Sequence, residues 1–331
     1  MSTPLLQFLD VKKHFPVKRS IVEGLMGVKP RYVRAVDGVT LSIEEREVFV
    51  LVGESGSGKT TLGKLSLRVY VPTSGKIFFE GQAVAGLRGD ALKAFRRSSQ
   101  MVYQDPVAAL NPRTRIGDAV AEPLKFHGIG SPEERKERAY KMMKRVGFDP
   151  PEEFYPRYPH ELSGGQRQRV VIARALVLGP KFVIADEPVA MLDVSIRAQI
   201  LKLLLDLKRE MNLTLLIITH DIAIAKYFAD HVGIMYLGKI VEIAERERIF
   251  RNSMHPYTKA LFSSVPIPDP EASKNRIIIT GEIPSAITPP PGCRFNPRCP
   301  FVFDRCRVDE PALLPGEDSH LVACHLYDKK V

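Results

Sequence analysis

The sequence predicts an α/β fold with a mostly parallel sheet core and a small Cys/Pro-rich C-terminal extension. Three observations carry this reading. Apolar runs of strand length, such as Glu47–Val52 and Leu213–Thr219, alternate with helical stretches, as in β-α-β units around a parallel sheet. A glycine-rich loop follows the first of these runs and opens a helix. All four cysteines lie between Cys293 and Cys324, and eleven of the 26 prolines fall between Pro266 and Pro315, so the C-terminal part has a texture of its own.

The length of 331 residues suggests about two domains, and 44% hydrophobic with 26% charged residues is the composition of a globular protein rather than a disordered or fibrous chain. Stretches such as Val48–Val52 and Leu215–Ile218 fall far short of the roughly 18 apolar residues that span a bilayer. Asp10 interrupts the N-terminus before a signal-peptide core could form, so a cytosolic location is expected. The 48 basic and 38 acidic residues leave a charge of +10. That surface suits nucleic acid, nucleotide phosphates or an anionic membrane, and groups as short as Lys12-Lys13 and Arg96-Arg97 do not choose among them.

The strand Glu47–Val52 runs into Gly53-Glu54-Ser55-Gly56-Ser57-Gly58-Lys59-Thr60, and Lys59–Val69 continues as a helix. This is a phosphate-binding loop in its required context. Its glycines let backbone N–H groups converge on phosphate oxygens, and the helix start adds a positive dipole end. Lys59 supplies charge for the β and γ phosphates, and the Thr60 hydroxyl can ligate Mg²⁺. Thr61 follows in the same turn. A second apolar strand, Lys181–Ala185, ends in Asp186 and Glu187. Asp186 suits the metal, and Glu187 is placed to polarise an attacking water. The helix Val194–Met211 carries Ile196, Ile200, Leu203, Leu204 and Leu207 at helical spacing, a core-packing stripe between two parallel strands. Tyr236-Leu237-Gly238-Lys239-Ile240 predicts a turn between two final strands.

Leu162-Ser163-Gly164-Gly165-Gln166 precedes the helical stretch Arg167–Leu178, with Ser163 as its N-cap. Together with the loop and the acidic strand end, this pattern resembles the signature of ATP-binding cassette (ABC) ATPases. The resemblance implies a P-loop ABC ATPase domain over residues 1–252, with a mostly parallel sheet core, an antiparallel β part and a helical subdomain at about 105–175, followed by a C-terminal extension over 253–331. Gln104 resembles the Q-loop glutamine, another candidate for the metal and the γ-phosphate. Met191-Leu192-Asp193 resembles the D-loop, although Met191 replaces a smaller residue, and His220 resembles the switch histidine. The resemblance implies catalytic roles for Glu187, His220 and Gln104, and Mg²⁺ held by Thr60, Gln104 and Asp186. It implies an ATP site of Gly53, Ser55, Gly56, Gly58, Lys59, Thr60 and Thr61, completed by Ser163, Gly165, Gln166 and Asp193 across a head-to-tail dimer. For the aromatic that stacks on adenine, Phe15 fits best, while Tyr32 is nearer Gly53 in sequence; the insert Pro16–Arg31 separates them.

Lys59 and Asp186 are 127 residues apart without sustained heptads, unlike DNA-repair members, and a single cassette is unlike translation-type members. A soluble ABC protein with a mechanical or regulatory role is the alternative. Gln100–Pro106, Leu110-Asn111-Pro112-Arg113, His255-Pro256-Tyr257-Thr258 and Gly292–Pro300 resemble ATPase subunits of oligopeptide/dipeptide importers, and the insert at 16–31 resembles their F-type subunit. This implies a distinct D-type sister ATPase, two permease subunits, an indirect substrate-binding protein, no nucleic acid, and a peripheral place on the cytoplasmic membrane face. Relatives in that family carry nickel or oligosaccharides instead of peptides.

Cys293, Cys299, Cys306 and Cys324 are separated by five, six and seventeen residues, which matches neither zinc-site pairs nor a common ferredoxin pattern. Disulfides are disfavoured in a reducing cytosol. Zinc, a [4Fe–4S] cluster and unliganded thiols stay open on spacing alone; the family resemblance implies the cluster. His320 and His325 are read as bystanders.

Overall fold

The computed structural model describes residues 3–18, 29–263, 277, 279–316 and 320–328. The expected insert at 16–31 lies largely outside the described residues, as does the far end of the helix and linker region after residue 263. The chain divides into two compact units, one of Met1–Ile43, Phe49–Ala85 and Thr219–Val331, the other of Glu44–Val48 and Gly86–Ile218.

The first unit opens with β1 (Leu6–Pro16), paired antiparallel with β2 (Tyr32–Ile43). Leu6 and Phe8 are buried in strict alternation, and a bulge with Asp10 at φ 45° then re-phases the strand so that Val11 turns inward. Every residue of β3 (Val48–Val52) is buried, which is why its sequence is continuously apolar rather than alternating. After the glycine loop and helix α1 (Lys59–Ser66), β4 (Ser74–Phe79) pairs with β1 and with β5 (Gln82–Ala83), completing the antiparallel part.

The second unit holds three strands in parallel, β6 (Ser99–Val102), β7 (Phe182–Asp186) and β8 (Thr214–Thr219). Between β6 and β7 lie the helices of the expected helical subdomain, including Ile116–Phe126, Pro132–Arg145 and Gly164–Leu176. Pro132–Arg145 begins with a capping box: Glu134 N–H donates to Ser131 Oγ and Ser131 N–H to Glu134 Oε2. The crossover from β7 to β8 is the helix Val194–Met211, with Asn212 in the left-handed conformation at its end. Its buried face is Ile200, Leu201, Leu204 and Leu207, so the expected stripe is turned slightly: Leu201 packs inward, while Ile196 and Leu203 are half-buried.

Back in the first unit, β9 (His231–Tyr236) runs parallel to β3 and forms a hairpin with β10 (Lys239–Glu245). The two-residue turn has φ of 43° at Leu237 and 82° at Gly238, as a tight antiparallel hairpin requires. These are not the final strands. β11 (Leu314–Pro315) and β12 (Leu321–Val322) follow, and β12 pairs with β10 through Glu242↔Val322 and Ile243↔Leu321. Strands of two residues are too short to show a period, and no residue pattern marks them in advance.

The same region is tied down by buried charge. Glu242, fully buried, accepts hydrogen bonds from Met254 N–H (2.6 Å) and His255 N–H (3.0 Å) and pairs with His320 Nε2 (2.7 Å). Arg294 donates to Leu237 O (2.9 Å) and to Asp37, whose other oxygen meets His14 Nε2 at 2.9 Å. Among the described residues no helix is long and apolar enough to cross a membrane.

Candidate functional site

The first unit carries Phe15, the glycine loop, His220 and the cysteines; the second carries Gln104, Ser163–Gln166, Asp186, Glu187 and Asp193. The loop between β3 and α1 is shaped by what surrounds its backbone. A Cβ on Gly53 would lie 2.2 Å from Met235 O, and one on Gly58, where φ is 105°, would lie 2.0 Å from Ala35 O. Gly56 is different: its φ is 78°, but nothing lies within 4 Å of its Cβ position. Two glycines are thus demanded by close backbone approach and one by conformation alone.

Helix α1 starts at Gly58 with no side-chain cap and no acidic residue in its first turn, so no carboxylate of its own opposes an anion at the positive end of its dipole. Lys59 is 7% exposed, and its Nζ donates to Gly53 O (2.7 Å) and Glu54 O (2.9 Å), so the ammonium is folded into the loop it serves. Ser55, Gly56 and Thr60 are exposed and Thr61 half-buried. A cradle closed to any Cβ at two positions, with a lysine inside and an uncapped helix start, fits a phosphate chain. Thr60 offers an exposed hydroxyl to a metal there.

Phe15 sits edge-on to Tyr70, ring centroids 5.2 Å apart, with Lys13 Nζ 5.1 Å from the Phe15 centroid. Lys13 also donates to Val71 O at 2.8 Å. Tyr32 is 45% exposed at the far end of the β1–β2 pairing, opposite Pro16. The sequence missed Tyr70, which lies after α1 outside any motif. His220 is exposed just beyond β8, and Asp221 caps the next helix by accepting from Ala223 N–H.

In the second unit, Asp186 is 5% exposed at the end of β7. Glu187 takes φ 48°, and its N–H donates to Ile218 O at 2.8 Å. A non-glycine residue held there is strained, and the bond to β8 fixes the direction in which its carboxylate leaves the strand. Gln104 is exposed in the turn after β6, and the next residue, Asp105, caps Pro106–Ala109. Ser163 caps Gly164–Leu176 as expected, but Gln166 closes the capping box, its Oε1 accepting from Ser163 N–H at 3.0 Å. A Cβ on Gly165 would meet Ile196 Cγ2 at 2.7 Å. Asp193 is exposed at the N-terminus of Val194–Met211, where its side chain makes no capping bond.

The four cysteines are free of disulfides and line one small cavity with His255, Phe295 and His325. Cys293 N–H donates to Cys306 O at 2.9 Å, and Gly292 at φ 66° makes room for it. Burial, reinforced by the neighbouring thiols, pushes Cys293 up to about 11 and Cys324 up to about 12, and raises Cys299 as well. His325 is committed elsewhere, to Asp328 Oδ2 and Asp309 O, as His320 is to Glu242. In donor chemistry the four thiols fit a thiolate-bound group. As placed, however, no three or more His, Cys, Asp or Glu among the described residues are arranged to hold a metal ion, so the metal expectation has no support in their geometry.

Comparison with known proteins agrees with both regions. The sequence model of a family described as "ABC transporter" matches residues 36–190, and that of "Oligopeptide/dipeptide transporter, C-terminal region" matches residues 241–306. The chain is 46% identical to the Oligopeptide transport ATP-binding protein AppF of Bacillus subtilis, covering 98% of this chain and 97% of that protein. It is 44% identical to the Dipeptide transport ATP-binding protein DppF of Escherichia coli, covering 99% and 96%. Among solved structures, a post-hydrolysis dimer of the ATP-binding cassette MJ0796 bound to ADP and phosphate is 31% identical with a TM-score of 0.62, covering 73% of this chain and 98% of that one. cbiO1 of Clostridium perfringens, part of an ABC transporter complex, is 28% identical with a TM-score of 0.63, covering 76% and 92%. The chain belongs to the ATP-binding proteins of ABC transporters, in the branch that carries the oligopeptide/dipeptide transporter C-terminal region, and is an ATPase of that family.

Proposed function

We propose that this chain hydrolyses ATP to energise import of peptides through an ABC transporter, at the cytoplasmic face of the membrane. The observation that carries the ATPase half is the loop itself, closed to side chains at Gly53 and Gly58 around the Lys59 ammonium. The peptide half rests on the C-terminal region and the near full-length relatives.

In this reading Lys59 and the N–H groups of Gly56, Gly58 and Thr60 bind the phosphates, and Phe15 stacks on adenine with Tyr70 and Lys13 behind it. Thr60, Gln104 and Asp186 hold Mg²⁺, which neutralises phosphate charge when bound. Glu187, with its backbone fixed by Ile218, orients and polarises the attacking water, and His220 contacts the γ-phosphate. Ser163, Gly165, Gln166 and Asp193 serve the site of a sister ATPase, a D-type chain, across a head-to-tail pair. Of these, Gln166 acts indirectly, by holding Ser163 in its capping box.

Of the two permease subunits, one would set a segment in an open groove of the second unit, about 460 Å³ and lined by Tyr103, Phe126 and His127 among others. Tyr103 and Phe126 are 48% and 75% exposed, apolar surface that a permease segment would cover. An extracytoplasmic binding protein would reach this subunit only through the permease.

For residues 253–331 we propose a [4Fe–4S] cluster on Cys293, Cys299, Cys306 and Cys324. Its support is the number of free thiols and their shared cavity, with zinc as the other candidate. Iron and acid-labile sulfide measured on anaerobically purified protein decide between them: roughly four of each supports the cluster, and about one zinc without sulfide removes it.

Glu187→Gln tests the catalytic assignment. The variant is expected to bind MgATP as before and to turn over about 10²–10⁴-fold more slowly. Wild-type turnover would remove Glu187 from its role.

A further inference from the structure

We propose that Arg298, which stands between Cys293 and Cys299 in sequence, is a positioning residue of the phosphate-binding loop, acting through Glu54. This rests on the reading of that loop as the ATP site. Glu54 is its second residue, and three groups from beyond residue 230 govern it. Arg298 grips its carboxylate with a two-pronged fork, Nη1 to Oε2 at 2.9 Å and Nη2 to Oε1 at 3.2 Å. Tyr257 OH accepts from Glu54 N–H at 3.0 Å. Tyr236 OH accepts from Arg298 Nη1 at 3.3 Å, and its ring lies 5.8 Å from the guanidinium.

The Arg298 side chain is 9% exposed and that of Glu54 26%, so solvent screens the pair weakly. Arg298 Nε is buried without a partner among the described residues, so the fork on Glu54, helped by Tyr236, is what holds the guanidinium.

The fork matters to phosphate binding because of what else Glu54 does. Its carbonyl accepts from Lys59 Nζ at 2.9 Å and from Ser57 N–H at 3.2 Å. Moving Glu54 therefore moves the lysine and the turn that face the phosphates. There is also a charge argument. A carboxylate inside a phosphate loop repels a triphosphate, and Arg298 neutralises it at the source. That cation comes from far along the chain: the pair is 244 residues apart in sequence.

The charge argument predicts a pattern that general loosening of the fold would not. Arg298→Met leaves Glu54 unpaired and is expected to raise the Kd for MgATP about tenfold at low salt, with the loss falling on KM more than on kcat. Adding Glu54→Gln to that variant removes the stranded charge and is expected to recover most of the affinity. Equilibrium binding of MgATP to the full-length chain, with circular dichroism to verify folding, reads both. Arg298→Gln gives the same comparison if the methionine variant does not fold. A wild-type Kd in the Arg298 variant, or a double variant no tighter than the single one, overturns the proposal. Lys59→Ala separates the two readings: if it binds MgATP normally, the loop assignment itself fails, whatever Arg298 does.

Discussion

The phosphate loop and the cysteine cavity lie in the same unit of the fold and are built in opposite ways. The loop is made of consecutive residues, Gly53 to Thr60, and works through backbone N–H groups whose placement is enforced by missing side chains. The cavity gathers four side chains spread over 32 positions, and the segments that carry them are tied to distant residues by ion pairs: Arg294 with Asp37, Arg298 with Glu54, His320 with Glu242. The first kind of site packs consecutive residues against fixed backbone, Ala35 O and Met235 O, and should fail at single positions. The second depends on tertiary contacts and should fail by degrees.

The sharpest break is expected at Gly58. Gly58→Ala adds a left-handed backbone penalty to a 2.0 Å approach to Ala35 O, and should cost at least about 3 kcal/mol of stability along with measurable ATP binding. Gly56→Ala, with only the φ penalty, should cost about 1 kcal/mol in the same denaturant titration. Equal losses would mean that backbone crowding does not shape the loop.

On the other side of the comparison, Asp37→Asn removes one partner of a buried ion pair and should cost about 3 kcal/mol, while the Kd for MgATP stays within about twofold. Burial alone would raise the Asp37 carboxyl, but His14 and Arg294 outweigh it and hold the carboxyl below the usual carboxylate range. A carboxyl depressed in the folded state contributes stability above its unfolded value of about 3.9 and loses it as pH falls through the lower folded value. The stability gap between wild type and Asp37→Asn should therefore close as pH drops below about 3.9. A gap that stays constant into that range would show that the pair's charge is not what stabilises.

The smallest expected effect concerns the adenine platform. Phe15→Ala should weaken MgATP about tenfold and Tyr32→Ala less than about twofold, because Phe15 is braced by Tyr70 and Lys13 while Tyr32 is 45% exposed. The reverse order would move the stacking role to Tyr32.

How much of this could be read in advance follows the same division. The loop, the acidic strand end at Asp186 and the helix Val194–Met211 were legible because each is specified by neighbours in sequence, through glycine spacing, an apolar run or a helical period. The left-handed backbone at Glu187 was not, since its cause is a bond to Ile218 on another strand. The cysteines announced themselves by crowding toward the C-terminus, but spacing could not say that they share a cavity. Arg298 and Glu54 carried no signal at all: each is an ordinary charged residue until 244 positions of chain are folded between them. Tyr70 was missed for a like reason, its partner Phe15 lying on a strand that precedes the loop.

The two-residue strand β12 has a practical consequence. By pairing with Glu242 and Ile243 it covers the flank of β10, and Ala323 N–H adds a further bond to Val241 O. A chain cut at residue 252 would bare that flank as an open row of hydrogen-bonding groups and leave the Glu242 carboxylate buried without His320. Such a fragment would invite strand-to-strand association between molecules. The cassette, for expression purposes, has to extend past Ala323 rather than stop after its last nucleotide motif.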